Sequence, residues 1–190
     1  MSEYFIKSIL MKYINLISVF LFLAFPVKSD QFDTRLPNLF QELYDSTNDS
    51  QINQIASKIW NIWHETNDIK IEADFYRGME SLRTHDLIMS IAFFTQVIEK
   101  KSNFAEAWNK RATVYYMMGD FDKSMHDINE TLKLEPRHFG AMDGMGLIFI
   151  HLHQYENAIK IYEQMLEIFP NNQTIKNKKK LMKENLSKSA

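Results

Sequence analysis

The sequence has no cysteine among its 190 residues. That absence excludes disulfide bonds, thiolate zinc sites, cysteine nucleophiles and a lipid-modified N-terminal cysteine. Glycine and proline are scarce, at 5 and 4 residues, which leaves little material for a β architecture rich in tight turns. The formal charge is only −2, so the chain lacks the basic excess that is typical of nucleic-acid-binding proteins. With 45% apolar residues, the composition is that of an ordinary globular protein. The chain is long enough for one domain with a sizeable core.

The N-terminal segment departs from this composition. Lysines precede an apolar run over residues 14–25, and small residues stand three before and one before a cut after Ser29. A positive start, a short apolar core and a small-x-small exit are the features of a secretory signal peptide. The run is about 12 residues long, whereas a membrane-spanning helix needs roughly 20. We therefore expect residues 1–29 to be a signal peptide and the protein to be periplasmic or secreted.

Three alternatives stay open for this segment. Lys28 lies inside the cleavage window, so the segment could be retained as an uncleaved membrane anchor. It could also be a buried N-terminal helix. Translation could start at Met11 rather than Met1, which would make residues 1–10 an upstream extension.

A fixed period organises most of the remaining chain. Small, large, small, apolar and proline positions recur in the same order and at one constant spacing in two successive segments: Ala112 and Gly146, Tyr115 and Phe149, Ser124 and Ala158, Ile128 and Tyr162, Pro136 and Pro170. Gly78 stands one period before Ala112 and marks a fainter first copy. A fixed period of 34 residues indicates helix pairs that stack, because no single pair buries its apolar face alone. The predicted copies are 71–104, 105–138 and 139–172.

The segments that flank these copies also have helical patterns. Apolar residues at helical spacing predict helices over 36–44 and 51–65, so residues 30–70 form a linker and a helix pair, with a degenerate repeat as the alternative. Residues 173–190 predict a terminal helix with a lysine-rich outer face and a thin apolar stripe of Ile175, Leu181, Met182 and Leu186. A stack of repeats must end in such a capping helix to keep its last apolar face dry.

The repeated positions resemble the tetratricopeptide repeat, whose pattern is W-x2-L-G-x2-Y followed by A, F and P. The second copy supplies Trp108, Ala112, Tyr115 and Pro136, and the third supplies Gly146, Phe149, Ala158, Tyr162 and Pro170. The first copy is divergent but keeps Gly78. The resemblance implies an all-α fold, a right-handed solenoid of helix pairs. The chain is similar to small exported bacterial proteins of this family.

The resemblance also implies where a partner would bind, because the first helices of the repeats line a concave groove in this family. By register, the groove residues are Phe75, Met79, Glu106, Asn109, Thr113, Tyr116, Met117, Asp143, Leu147 and Ile150. Some relatives clamp a C-terminal carboxylate there, but the lysine and second asparagine places hold Asp143, Thr113 and Phe75. We therefore expect no such clamp. The open alternative is that the N-terminal helices, or a second copy of the chain, cover these residues.

No residue pattern in the chain indicates catalysis. His151 and His153 are alternate residues near a helix end, without a carboxylate at ligand spacing, so they do not predict a metal site. Nucleophile motifs and glycine-rich phosphate loops are absent from the sequence. We predict no enzyme, no cofactor and no metal, but an exported scaffold or adaptor that binds a protein or peptide and no nucleic acid. The alternative is a structural protein that self-associates, or an accessory subunit of an envelope assembly.

Overall fold

The computed structural model describes residues 30–66 and 68–189, so the predicted signal peptide lies outside the described residues. Within this part of the chain there are nine α-helices after a short 3-10 turn at Asp30–Phe32, and no strand. The helices are α1 (Leu36–Asp45), α2 (Asp49–His64), α3 (Ile69–Arg83), α4 (Leu87–Lys100), α5 (Ala105–Met117), α6 (Phe121–Leu134), α7 (Phe139–His151), α8 (Tyr155–Ile168) and α9 (Gln173–Ser189). The predicted all-α helical-repeat solenoid is confirmed.

Each repeat is a helical hairpin, and we refer to its first helix (α3, α5, α7) as the front helix and its second (α4, α6, α8) as the back helix. Asp86 and Asp120 begin two back helices by accepting a backbone N–H of the first turn. The turn before each back helix contains one residue of positive φ: Gly119 at 77°, His85 at 61° and His153 at 55°. Glycine adopts this conformation without strain, whereas the two histidines do so at some cost.

Front and back helices approach closely where the front helix has a glycine. A Cβ on Gly78 would lie 2.7 Å from the Phe94 ring, and one on Gly146 would lie 3.0 Å from the Tyr162 ring and hydroxyl. Both aromatic side chains are fully buried. The missing side chain therefore makes the room that each bulky ring fills.

A serine ties the two helices together in the first two repeats. Ser90 Oγ donates to the Gly78 carbonyl at 2.9 Å, and Ser124 Oγ donates to the Ala112 carbonyl at 2.8 Å. Both bonds span 12 residues and are buried. Ala158 takes this place in the third repeat, where the contact is apolar.

The aromatic and proline positions of the repeat lie nearer the surface. Trp108 is half-buried, donates from Nε1 to the Ser102 carbonyl at 2.8 Å, and lies under the Arg111 guanidinium. Tyr115 and Phe149 are also half-buried, Pro136 is exposed and Pro170 is half-buried. Trp108 is thus less deeply buried than a core tryptophan.

The N-terminal hairpin α1–α2 does not stack in front of the first repeat. Its buried apolar side chains share one core with those of α7, α8 and α9. On α3, Ala73 is exposed, although Ala107 and Ala141 at the same repeat position are fully buried. The structure therefore departs from the degenerate-repeat alternative for residues 30–70, because a fourth repeat would cover this face of α3.

Helix α9 continues the solenoid as the front helix of an incomplete fourth repeat. Asn172 Oδ1 accepts the Ile175 N–H at 3.0 Å, and His138 Nδ1 accepts the Ala141 N–H at 3.1 Å at the same place one period earlier. Ile175 is buried, like its counterpart Ala141. The helix therefore closes the last apolar face of the stack.

One residue of the predicted α9 stripe lies elsewhere. Ile175 and Met182 are buried and Leu186 is half-buried, but Leu181 is 52% exposed. Leu181 follows Leu147 by one period, so it shares a repeat position with a residue predicted to line the groove. The prediction that Leu181 packs inward is wrong. Separately, no helix among residues 30–66 and 68–189 is long and apolar enough to cross a membrane.

Two glycine-to-alanine changes test the close approach of the helices. Gly78→Ala should lower the free energy of unfolding by about 1–3 kcal/mol, because its Cβ would overlap the Phe94 ring. Gly144→Ala is the matched control, since its Cβ would lie 3.4 Å from Ile128 Cδ1, an ordinary contact. We expect this control to be neutral or to stabilise by up to about 1 kcal/mol, because alanine favours a helix over glycine. Equal unfolding energies for both variants in urea titrations would contradict the packing described.

Candidate functional site: a cleft in the concave surface

The N-terminal hairpin covers one half of the concave surface formed by the front helices. His64 of α2 lies with its ring 5.8 Å from that of Phe75 on α3 and with Nε2 3.3 Å from Glu106 Oε1 on α5. Trp60 of α2 lies over α7, where a Cβ on Gly140 would be 2.5 Å from the indole ring. Helix α2 therefore crosses the start of all three front helices.

Two predicted groove residues are consequently not available to a partner. Phe75 is 2% exposed and packs on Phe94 and Phe104, and Glu106 is fully buried. Their prediction as partner contacts is wrong, because Phe75 packs into the core of the repeats and the start of α5 with Glu106 lies under α2. For this half of the groove the structure follows the alternative of a covered surface.

Glu106 is a buried carboxylate held by side chains from three helices. His138 Nδ1 accepts the Ala141 N–H, so its proton is on Nε2, which donates to Glu106 Oε2 at 2.8 Å. Lys110 Nζ lies 3.0 Å from Oε1, on the same side as His64. Burial alone would raise the pKa of Glu106, but the Lys110 charge and the His138 hydrogen bond outweigh it and lower the pKa to about 2.

Aromatic stacking holds the same cluster in place. The Trp63 and His138 rings are stacked with centroids 4.1 Å apart and planes 13° from parallel. Lys110 Nζ lies 5.0 Å from the centre of the Trp60 ring. The hairpin is thus fixed to the repeats by charge and ring contacts together.

The other half of the concave surface is open and forms a cleft of about 150 Å³. Front helices α5 and α7 and back helix α6 supply its lining: Asn109, Ala112, Thr113, Tyr116, Ser124, Ile128, Gly140, Asp143, Gly144 and Leu147. Five of these were predicted from sequence, namely Asn109, Thr113, Tyr116, Asp143 and Leu147. We refer to this space as the cleft.

Three other predicted groove residues lie outside the cleft lining. Met79 and Ile150 are half-buried against neighbouring apolar side chains, and Met117 is 44% exposed at the end of α5. Sequence reasoning in turn missed Gly144 and Ile128, which form the apolar floor of the cleft. It also missed Lys178 of α9, which donates to Asp143 Oδ1 at 2.5 Å. Carrying the repeat register one helix further would have placed α9 beside α7.

Two polar side chains of the cleft are held by neighbouring charged groups. Asn109 is 5% exposed and donates from Nδ2 to Glu106 Oε2 at 3.1 Å. Asp143 is paired with Lys178, and each side chain is about one-third exposed. Residues 30–66 and 68–189 contain no group of three or more His, Asp or Glu residues placed to hold a metal ion. The arrangement suits the binding of a segment of chain by shape and hydrogen bonds.

Known proteins are similar to this chain in sequence and in fold. Sequence profiles of the tetratricopeptide repeat (TPR) match residues 105–138 and 140–172. A TPR repeat-containing protein of Rhizobium etli is 30% identical over 153 residues, which cover 80% of this chain and 75% of that protein.

Solved structures of similar fold include domains in complex with peptides. The first TPR of Spaghetti (RPAP3) bound to the HSP90 peptide SRMEEVD matches with a TM-score of 0.58 at 22% identity, over 62% of this chain and 94% of that chain. The TPR2B domain of yeast Sti1, in its pHsp70 complex, matches with a TM-score of 0.57 at 17% identity, over 65% of this chain and 100% of that chain. At these identities the likeness is one of fold.

The buried Glu106 carboxylate makes the folding stability of the protein depend on pH. The folded pKa of Glu106, about 2, lies below its ordinary value of 4.5, so its contribution is complete above pH 4.5 and is lost as the pH falls toward 2. The shift corresponds to about 3 kcal/mol. Glu106→Gln should therefore destabilise the protein at neutral pH and flatten its acid unfolding curve.

Glu167→Gln on the exposed surface of α8 is the matched control. Chemical unfolding of the two variants and the wild type between pH 7 and 3 makes the comparison. If Glu106→Gln and Glu167→Gln lost stability in parallel with the wild type on acidification, the role given to Glu106 would be refuted.

Proposed function

The chain belongs to the tetratricopeptide-repeat family, and on that premise we propose that it is a non-enzymatic protein-interaction module that holds a peptide or protein segment in the cleft. The preformed cleft is the observation that carries this proposal. Its walls are side chains of three packed helices, so little conformational entropy is lost when a partner binds. Peptide complexes of neighbours with the same fold support a peptide or protein as the occupant.

The covered half of the groove limits what the cleft can hold. Helix α2 occupies the space over Glu106 and the start of α7, so a partner reaches the concave surface only from the side of Thr113 and Tyr116. Leu147 and Ile128 provide apolar surface, whereas Asn109 and Asp143 provide polar contacts. This arrangement favours a short segment that inserts one side chain over a long peptide that follows the whole groove.

We also propose that the protein acts outside the cytoplasm, in the periplasm or beyond. The support is the sequence of residues 1–29, with its positive start, short apolar core and small-x-small exit. A partner would accordingly be an envelope or secreted protein.

Filling the cleft should abolish partner binding. Thr113 is exposed on the cleft wall, so Thr113→Trp should leave the fold intact and occupy the space with its indole ring. We expect the partners that the wild type captures from its own cell envelope to be lost with this variant. Asn129→Trp is the matched control, because Asn129 is exposed on back helix α6 and outside the cleft. Equal capture by all three proteins would exclude the cleft as the binding site.

Export makes a separate prediction. N-terminal sequencing of the protein from a fractionated envelope should begin at Asp30, because the expected cut follows Ser29. A Lys28→Ala variant should be processed at the same site and at least as fully. Recovery of the intact N-terminus in the cytoplasmic fraction would refute the proposal of export.

A further inference from the structure

The chemistry of the cleft narrows the kind of side chain that it can accept, and this inference rests on the function proposed above. Asn109 is the most deeply buried polar residue of its lining apart from Ser124. Its Nδ2 donates to the Glu106 carboxylate, which can only accept because its pKa is lowered to about 2. The amide orientation is therefore fixed, with Oδ1 turned away from Glu106. Within the part of the chain that the structure describes, Oδ1 has no hydrogen-bond donor.

Two of the three hydroxyl groups in the cleft lining, those of Thr113 and Ser124, have also used their donors. Thr113 Oγ1 donates to the Asn109 carbonyl at 3.0 Å, and Ser124 Oγ donates to the Ala112 carbonyl at 2.8 Å. Each hydroxyl has one proton, so only acceptor lone pairs are left on these two oxygens. Thr113 and Ser124 can therefore offer a ligand only acceptors, whereas the Tyr116 hydroxyl can donate or accept.

Asp143 adds a negative charge to these acceptors. Its Oδ1 accepts from Lys178 at 2.5 Å, while Oδ2 takes no hydrogen bond among residues 30–66 and 68–189. A carboxylate can accept several hydrogen bonds, so Oδ2 can receive a second donor. The ion pair with Lys178 of α9 is one example of a cation bound to this carboxylate.

The rest of the lining is apolar and suits an aliphatic stem. Ala112, Ile128, Gly144 and Leu147 line the cleft without adding a further charge. Lysine and arginine place an aliphatic stem against apolar surface and a charged head against acceptors. No other natural side chains combine these two properties.

The charge of the surrounding body favours a cation as well. Residues 30–189 contain 19 basic and 23 acidic side chains, a formal charge of −4, and six of the lysines are on α9, which reaches the cleft through Lys178. A field of this sign attracts basic segments and repels acidic ones.

We propose that the cleft receives a lysine or arginine side chain from a partner protein, with its stem against Ile128 and Leu147 and its cation donating to Asn109 Oδ1 and Asp143 Oδ2. One of the two Nδ2 N–H groups of Asn109, which a carboxylate ligand would need as donors, is engaged by Glu106. The cleft thereby selects a basic residue within the partner segment.

Three small probes with the same acetylated and amidated backbone test the proposal by NMR titration of the full mature chain. Nα-acetyl-arginine amide has the cation, Nα-acetyl-citrulline amide keeps the length and N–H donors without charge, and Nα-acetyl-glutamate amide has the opposite charge. We expect the arginine probe to shift the Asn109 side-chain amide and the Leu147 methyl signals with millimolar affinity. The citrulline probe should bind roughly five- to tenfold more weakly, since charged hydrogen bonds are stronger than neutral ones. The glutamate probe should give no saturable shift.

Two variants move the arginine affinity in opposite directions. Asp143→Asn should weaken binding roughly five- to tenfold, because it removes the charged acceptor and frees Lys178. Lys178→Gln should strengthen binding, because the competing ammonium is removed from Asp143. Asp122→Asn, on the exposed first turn of α6, is the control and should change nothing. Thermal unfolding checks that all three variants remain folded at the titration temperature.

The outcomes separate this proposal from the more general one. Equal shifts with arginine and citrulline, tighter binding of glutamate, or no shift at the cleft with any probe would overturn the assignment of a cation. If Thr113→Trp still abolished partner capture in that case, the protein-binding role of the cleft would stand. If Thr113→Trp left capture unchanged, the proposed function itself would fail.

Discussion

The close contact between a small residue on each front helix and a bulky one on its back helix is the constraint on which the rest of the structure depends. Gly78 faces Phe94 and Gly146 faces Tyr162, whereas Ala112 shares its core with the smaller Ile128. The size of the front residue thus varies inversely with that of the back residue within one chain. Because the helices meet at this fixed separation, successive front helices align and a continuous concave surface results.

The N-terminal hairpin turns this general surface into a specific site. Without α2, the concave face would be an open groove along α3, α5 and α7. Trp60, Trp63 and His64 cover its first half and enclose the Glu106 carboxylate, which then orients Asn109. Helix α2, which does not line the cleft, thus encloses the carboxylate that orients one of the polar groups of the cleft. Covering one half of the groove and setting the chemistry of the other are two results of one packing arrangement.

The repeat fold was predictable because its signals are local and periodic. The regular spacing that relates Ala112 to Gly146 predicts the helix pairs, their turns and the terminal helix α9. The placement of α1 and α2 was not predictable in the same way, because their apolar faces specify burial without specifying a partner. Phe75 and Glu106 were assigned to the groove, although Phe75 packs into the core of the repeats and α2 covers Glu106. The tie between Lys178 and Asp143 depends on three-dimensional packing that no short motif records.

Nuclear Overhauser contacts between glycine Hα protons and aromatic rings measure this packing directly. We predict contacts from Gly78 to the Phe94 ring, from Gly146 to the Tyr162 ring and from Gly140 to the Trp60 ring, since a Cβ at each glycine would lie 3.0 Å or less from that ring. The first two report the approach of front and back helices, and the third reports α2 over the groove. Absence of the first two contacts in a spectrum of the folded protein would contradict the close approach of front and back helices. Absence of the third alone would remove the hairpin from the groove and leave the repeats intact.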